Sequence, residues 1–224
     1  MPELVDPVDP MVVYGDLPVA RGRPAVRLNM IASVDGATTV AGLSGGLGGP
    51  ADKRVFSVLR SLADAVLVAA GTVRAETYGP SPHLIAVVSR SCVLDWRAPF
   101  FIEAPVRPIV ITVAAAQADN RARAAEVADV VIAGDDSVDM RSAIDALGER
   151  DARTVLAEGG PSLNGQLAAA GLIDELCLSL SPALVGGDSK RILSGPTLEM
   201  PARCELRSVC EDDGYLFLRY RSSP

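Results

Sequence analysis

The sequence predicts an α/β fold: a mainly parallel central sheet with helices on both faces and an antiparallel hairpin at its C-terminal end. Three observations predict it. Runs such as "AVLVAA", "LIAVVS" and "RPIVIT" are almost wholly apolar, which suits strands buried on both faces. Segments with apolar residues at helical spacing alternate with them. The end of the chain changes style to "DELCLSLSP", "ARCELRSVCE" and "YLFLRY", the last two joined by Asp213-Gly214, a typical hairpin turn.

In order, residues 1–24 read as an extended N-terminal arm, because prolines at 2, 7, 10, 18 and 24 interrupt any regular element. Residues 25–224 form one domain, with neither repeat nor linker. Ala25 to Ile31 is the first strand. The long loop "ASVDGATTVAGLSGGLGGP" follows, and a loop of that length within a compact domain suggests a substrate-covering role. Pro50 opens a helix with Val55, Leu59 and Leu62 on one face. A strand from Ala65 to Ala70 leaves at Gly71 for a helix starting at Thr72. Strands at Leu84–Ser89, Arg107–Thr112 and Asp129–Ala133 share that doubly buried character. The helix Ser137–Gly148 carries Met140, Ile144 and Leu147 on one face, and strand Thr154–Ala157 and helix Pro161–Ala170 complete the alternation.

Composition restricts function. The 224 residues carry a net charge of −7, so no global positive field draws nucleic acid or an anionic membrane. The acidic, proline-rich start is unlike a signal peptide, and no apolar run approaches the ~20 residues of a membrane span. Cys92, Cys177, Cys204 and Cys210 form no C-x-x-C pair and read as reduced core thiols of a cytoplasmic protein. One histidine, His83, cannot build a Cys/His zinc site or a zinc-dependent deaminase.

Two strand ends share one design. "AAGTV" and "AEGGPSL" each pass from an apolar strand through glycine into a helix start. There the backbone lies bare and free N–H groups favour a phosphate. Either alone is more often just an ordinary turn; together they suit a dinucleotide. Neither is a Rossmann or Walker motif. Gly42-Leu43-Ser44-Gly45-Gly46 fits the G-x-S-x-G elbow of serine hydrolases but lacks the strand before and helix after, and His83 is its only possible base. Asp35, following the first strand, is either a turn aspartate before Gly36 or an acid that pairs with an amino-substituted heterocycle and supplies protons.

"NMIASVDGA", "LRSLADAVLVAAGTVRAE", "VLAEGGPSL" and "LIDELCLSLSPALVGG", in that order from about Arg27 onward, resemble the reductase domain of riboflavin biosynthesis. The resemblance implies a dihydrofolate reductase-like fold, NADPH as cofactor, and reduction of the ribosylamino group of a phosphorylated pyrimidine, 5-amino-6-(5-phosphoribosylamino)uracil. It also implies a homodimer. By the same resemblance Ala32, Thr72 and Glu76 line the cofactor site, and Gly159, Gly160, Pro161, Ser162 and Leu163 wrap its pyrophosphate. Ser89, with Arg90 beside it, meets the adenosine 2′-phosphate. Ser44, Arg60 and Glu158 align with substrate-contacting positions, Asp35 aligns with the family's first-strand aspartate, in the place of the substrate-binding acid of dihydrofolate reductases, and Asp35 or Glu158 would manage the proton.

The chain departs from the family pattern at several points. Glu76 replaces an aspartate, Ala37 a lysine, and Gly46-Leu47-Gly48 a Trp-Ile-Thr segment. No basic residue lies between Glu76 and Arg90 to hold the substrate phosphate, and no deaminase domain is present. A dihydrofolate or pterin reductase on the same scaffold is therefore the alternative. A non-catalytic nucleotide-binding module and a hydrolase using Ser44 are readings from other classes.

Overall fold

The computed structural model describes residues 8–222. Nine strands form one sheet in the order β5-β4-β3-β2-β6-β1-β7-β9-β8. They are β1 (Ala25–Ser33), β2 (Ala65–Ala69), β3 (Leu84–Val88), β4 (Ile109–Thr112), β5 (Asp129–Ile132), β6 (Thr154–Ala157), β7 (Glu175–Ser181), β8 (Cys204–Asp212) and β9 (Tyr215–Ser222). Strands β1 to β7 run parallel, and β9 and β8 add an antiparallel ribbon. The hairpin turns on Asp213 and Gly214, both at positive φ, as a two-residue turn between twisted strands requires.

The helices are α1 (Pro10–Tyr14), α2 (Pro50–Ser61), α3 (Ala70–Ala75), α4 (Pro99–Ile102), α5 (Ala118–Val127), α6 (Met140–Gly148) and α7 (Pro161–Ala169). Alternation along β2 divides them between the faces. Leu67 joins the core beneath α6 and α7, whereas Val66 and Val68 join the one beneath α3, α4 and α5. Helix α2 covers the β6–β1–β7–β9 part of that second face, with Ala51, Val55 and Leu59 set on Leu156, Cys177 and Phe217.

Several expectations need correction. Residues 8–24 are not wholly extended. Pro10 starts α1, because a proline at the first helical position loses no hydrogen bond, and Asp9 caps it through Met11 N at 2.8 Å. Residues 1–7 of the expected arm lie outside the described residues. Helix α3 begins at Ala70, so Gly71 sits in its first turn and not in a strand-to-helix corner. β5 is an edge strand with Asp129 and Ile132 exposed, not a doubly buried one. Only Cys92 and Cys177 are core thiols, since Cys204 is exposed on the β8 edge; all four cysteines are free.

A buried ion network fixes the α1 segment to the sheet. Arg27 on β1 and Glu175 on β7 are 1% and 0% exposed and meet at 2.7 Å, with Arg219 on β9 at 2.9 Å from the other carboxylate oxygen. The outer guanidinium N–H groups donate to carbonyl oxygens of the arm: Arg27 to Tyr14, Arg219 to Val13 and Arg221 to Asp16.

Candidate active site

The carboxyl ends of β2, β6 and β1 open into one cavity of about 1010 Å3, walled by α2, the loop from 38 to 49, the start of α7 and residues 188–190. Parallel strands leave the sheet at this end, the usual place for a ligand crevice. The two bare-backbone segments are neighbours here. Ala69 N donates to Gly159 O at 2.7 Å and Glu158 N to Leu67 O at 3.0 Å, which binds the end of β6 to the end of β2. Gly159 has φ +88°, and the Gly159–Gly160 peptide is cis. A Cβ on Gly160 would lie 3.0 Å from Thr72 Oγ1, so a side chain there would fill the floor that α3 and α7 share. Helix α7 has no side-chain cap at its start, which leaves the amides of Ser162 and Leu163 without an intrahelical acceptor.

Among the expected site residues, Ser44, Arg60, Thr72, Glu76, Glu158, Gly160, Pro161 and Ser162 line the cavity. Glu158 is 3% exposed and accepts from Arg60 Nε and Nη2, both at 2.7 Å, and from Tyr78 Oη at 2.6 Å. Burial, with this carboxylate beside it, pushes the Tyr78 hydroxyl pKa upward, so Tyr78 is a donor here. The Arg60 guanidinium also lies 4.5 Å from the centre of the Phe56 ring. Glu76 accepts from Ser44 N at 2.7 Å, and Tyr215 Oη donates to Leu47 O at 3.0 Å. The glycine-rich loop is thus pinned at two points and forms a wall of the cavity.

The structure does not bring the remaining expected residues to the cavity wall. Ala32 and Leu163 are buried, and Gly159 backs onto Met30, 3.2 Å from its sulfur to an added Cβ. Ser89 follows β3, buried, with its N–H on Ile111 O at 2.9 Å; Arg90 beside it is exposed. Asp35 is not among the residues that line the cavity, and its carboxylate accepts from Ser33 Oγ, from Val185 N at 3.2 Å and from Gly186 N at 2.7 Å. These bonds hold its pKa below the ordinary carboxylate value, Ser33 contributing most. An exposed carboxylate with three donors clamps two loops and is poorly placed to handle a substrate proton. Ser44 begins a one-turn 3-10 helix, with no strand before it, and makes no hydrogen bond to His83 among the described residues.

Sequence reading missed Asp52, Lys53, Phe56, Tyr78 and Lys190, all of which line the cavity. Asp52, Phe56 and Arg60 recur at i, i+4 and i+8 on α2, a spacing that could have shown them to share a face. Lys190 lies on the loop after β7, and no local pattern marks it. No group of three or more potential metal ligands occurs among the described residues, and none of their helices is long and apolar enough to cross a membrane.

A parallel sheet with an antiparallel C-terminal ribbon, opening onto a cavity floored by two glycine-bearing backbone segments, defines a reductase of dihydrofolate reductase-like fold. A dihydrofolate reductase from Enterococcus faecalis, 13% identical over 89% of this chain and 97% of its own, superimposes with a TM-score of 0.56 and shows the fold. The chain belongs to the RibD C-terminal domain family, whose model matches residues 24–217. A 2,5-diamino-6-ribosylamino-4(3H)-pyrimidinone 5′-phosphate reductase from Methanothermobacter thermautotrophicus is 30% identical over 201 residues, 83% of this chain and 92% of the relative. The crystal structure of a pyrimidine reductase-like protein from Corynebacterium diphtheriae superimposes with a TM-score of 0.85 at 26% identity, over 96% of this chain and 98% of that one.

Proposed function

We propose that the chain is an NADPH-dependent reductase of riboflavin biosynthesis. Its reaction would convert the ribosylamino group of a 5′-phosphorylated pyrimidine into a ribitylamino group. The observation that carries this reading is the meeting of the β2 and β6 ends in one cavity, with a floor a single Cβ at Gly160 would fill. Those residues fit a dinucleotide. Thr72, Gly160, Pro161 and the open amide of Ser162 would hold the pyrophosphate, while Leu163, Gly159, Glu76 and Ala32 shape its surroundings. Ser89 and Arg90, one strand further along at the end of β3, would meet the 2′-phosphate.

Bound NADPH supplies the hydride; the protein supplies binding and orientation. Arg60 and Glu158 neutralise each other, so together with Tyr78 they present a fixed polar wall and not a free base. Phe56 offers an aromatic surface for the pyrimidine. Lys53 and Lys190 are cavity-lining cations without a carboxylate partner among the described residues, and would receive the substrate phosphate in place of the arginine the family pattern leads one to expect. We also read the working assembly as a homodimer joined along β8.

Purified protein is mixed with NADPH and either a phosphoribosylaminopyrimidine or dihydrofolate, and NADPH oxidation is followed by absorbance. Oxidation with the pyrimidine alone is expected. Oxidation with dihydrofolate alone would replace this reading by the pterin one, and absence of NADPH binding by calorimetry would end both.

A further inference from the structure

Residues 188–190 form part of the cavity wall, and hydrogen bonds fix the chain on both sides of them. Upstream, Asp35 accepts from Val185 N at 3.2 Å and from Gly186 N at 2.7 Å. Gly186 and Gly187 follow, both at φ +69°, a left-handed corner with nothing within 4 Å of an added Cβ. Glycine is therefore there for its backbone freedom and not for lack of space. Just past the corner, Ser189 Oγ accepts from Thr38 N at 3.1 Å, and Thr38 Oγ1 donates to Lys190 O at 2.8 Å. Downstream, Asn164 Nδ2 donates to Ile192 O at 2.8 Å and Ser194 N to Pro161 O at 2.9 Å. A Cβ on Gly165 would lie 2.1 Å from Ser194 O, so the segment is pressed onto α7. Residues 185–194 are thus a strap between the loop after β1 and the start of α7, and Lys190 is the cation it contributes to the cavity wall.

Resting on the reductase reading, we infer that Asp35 is a positioning residue: it fixes the strap so that Lys190 meets the substrate phosphate, without touching substrate itself. A lysine is a point charge on a flexible stem, so where its charge falls depends on where its backbone is held. Two consecutive left-handed glycines can swing into many other conformations, and a swing there moves everything from Asp188 to the tie at Ile192. The carboxylate stops that swing from the upstream side, with charge-assisted bonds to two backbone N–H groups that are stronger than neutral ones. Thr38 and Ser189 stop it from the downstream side. Asp35 and Thr38 both lie on the loop after β1, so strap and loop share one anchor. Only an acceptor with two oxygens meets Ser33 Oγ and both amides at once; asparagine has one oxygen and places donors where the other stood. The phosphate therefore depends on Asp35 through Lys190, while hydride transfer and the cofactor floor do not.

Asp35→Asn and Lys190→Met, singly and together, are compared with wild type in two measurements. Calorimetry titrates the NADP-loaded protein with ribose 5-phosphate and with ribose, and steady-state kinetics uses the phosphoribosylaminopyrimidine. Lys190→Met is expected to weaken ribose 5-phosphate and raise KM roughly tenfold, and Asp35→Asn roughly three- to tenfold, the worth of one charged hydrogen bond or less. In Asp35→Asn, kcat, NADP affinity and ribose binding stay at their wild-type values. The double variant should be no worse than Lys190→Met, because a residue that acts only through Lys190 has nothing left to position, whereas a merely structural role gives factors that multiply. Multiplying factors, a fall in kcat with Asp35→Asn, or ribose 5-phosphate bound no tighter than ribose by wild type overturns the inference. Should Asp35→Asn fail to fold, Ser189→Ala cuts the tie on the other side of the corner and meets the same criterion: KM must rise in the wild-type background and not in Lys190→Met. If the ribose 5-phosphate pattern holds but no pyrimidine oxidises NADPH, the reductase reading fails and the strap stands. Turnover with a KM indifferent to Asp35→Asn does the opposite.

Discussion

Glu158 follows β6 and its side chain is almost wholly buried, so its charge must be compensated on the spot. Arg60 and Tyr78 do this with three hydrogen bonds of 2.6–2.7 Å. Removing one partner of such a buried pair typically costs ~3–5 kcal/mol, because the other charge stays behind. Arg60→Ala should sit at the low end, about 3 kcal/mol, since Tyr78 still donates; urea unfolding measures it, and a loss below about 1 kcal/mol would contradict the compensation argument. Asp35 is the opposite case, an exposed carboxylate whose donors lower its pKa. A depressed folded pKa means that its contribution is complete above the ordinary value of 3.8 and is lost as pH falls through the folded value. Asp35→Asn should therefore lower the melting temperature at neutral pH, and the gap to wild type should close as pH falls below 3.8. Turnover at saturating substrate should change little, because the carboxylate faces Val185 and Gly186. A gap that widens toward acid would reverse this assignment.

At the scale of elements, burial decides which ion pairs matter. Strands β1 and β7 pair Arg27 with Glu175, β9 brings Arg219 in from two residues along, and the three compensate one another beneath the α1 segment. Glu175→Gln keeps the shape but leaves the buried Arg27 without an anion and Arg219 with only the exposed Asp16 carboxylate at 3.7 Å, and should cost about 3–5 kcal/mol by urea unfolding. Arg54→Ala breaks the α2–β8 pair with Asp212, where both side chains are more than half exposed, and should stay within about 0.5 kcal/mol. Equal effects would show that the α1 segment does not shield the network. The sequence signalled the elements more clearly than these pairings. The apolar strands, the proline that opens α2 and the Asp213-Gly214 turn are local signals, and each marks an observed element. Pro10 misled because proline both breaks helices and begins them; what separates the two cases is the capping aspartate before it.

At the scale of the molecule, the cavity was legible where it depends on backbone and illegible where it depends on packing. The bare segments at Thr72 and Gly160 could be read from glycine and strand order, and the sheet sets them side by side. The hold of Asp35 on Val185 and Gly186 and the approach of Asp52 to Ser179 are set by contacts between segments far apart in sequence, and no local pattern encodes those.

The same limit applies to assembly. β8 is nine residues long and forms an open sheet edge, with Leu206 49% and Val209 53% exposed. The other edge, β5, has four residues, and its first, Asp129, is paired with Arg107. Long open edges invite pairing with another strand, and short ones discourage it. A second copy along β8 would cover both side chains and satisfy the outward backbone groups. Sedimentation equilibrium at micromolar concentration should therefore give twice the chain mass for wild type and the chain mass for the double substitution Leu206→Asp, Val209→Asp, with NADPH binding retained in both. A monomeric wild type would remove the argument from the edge. A dimer that survives the double substitution would place the contact on another face.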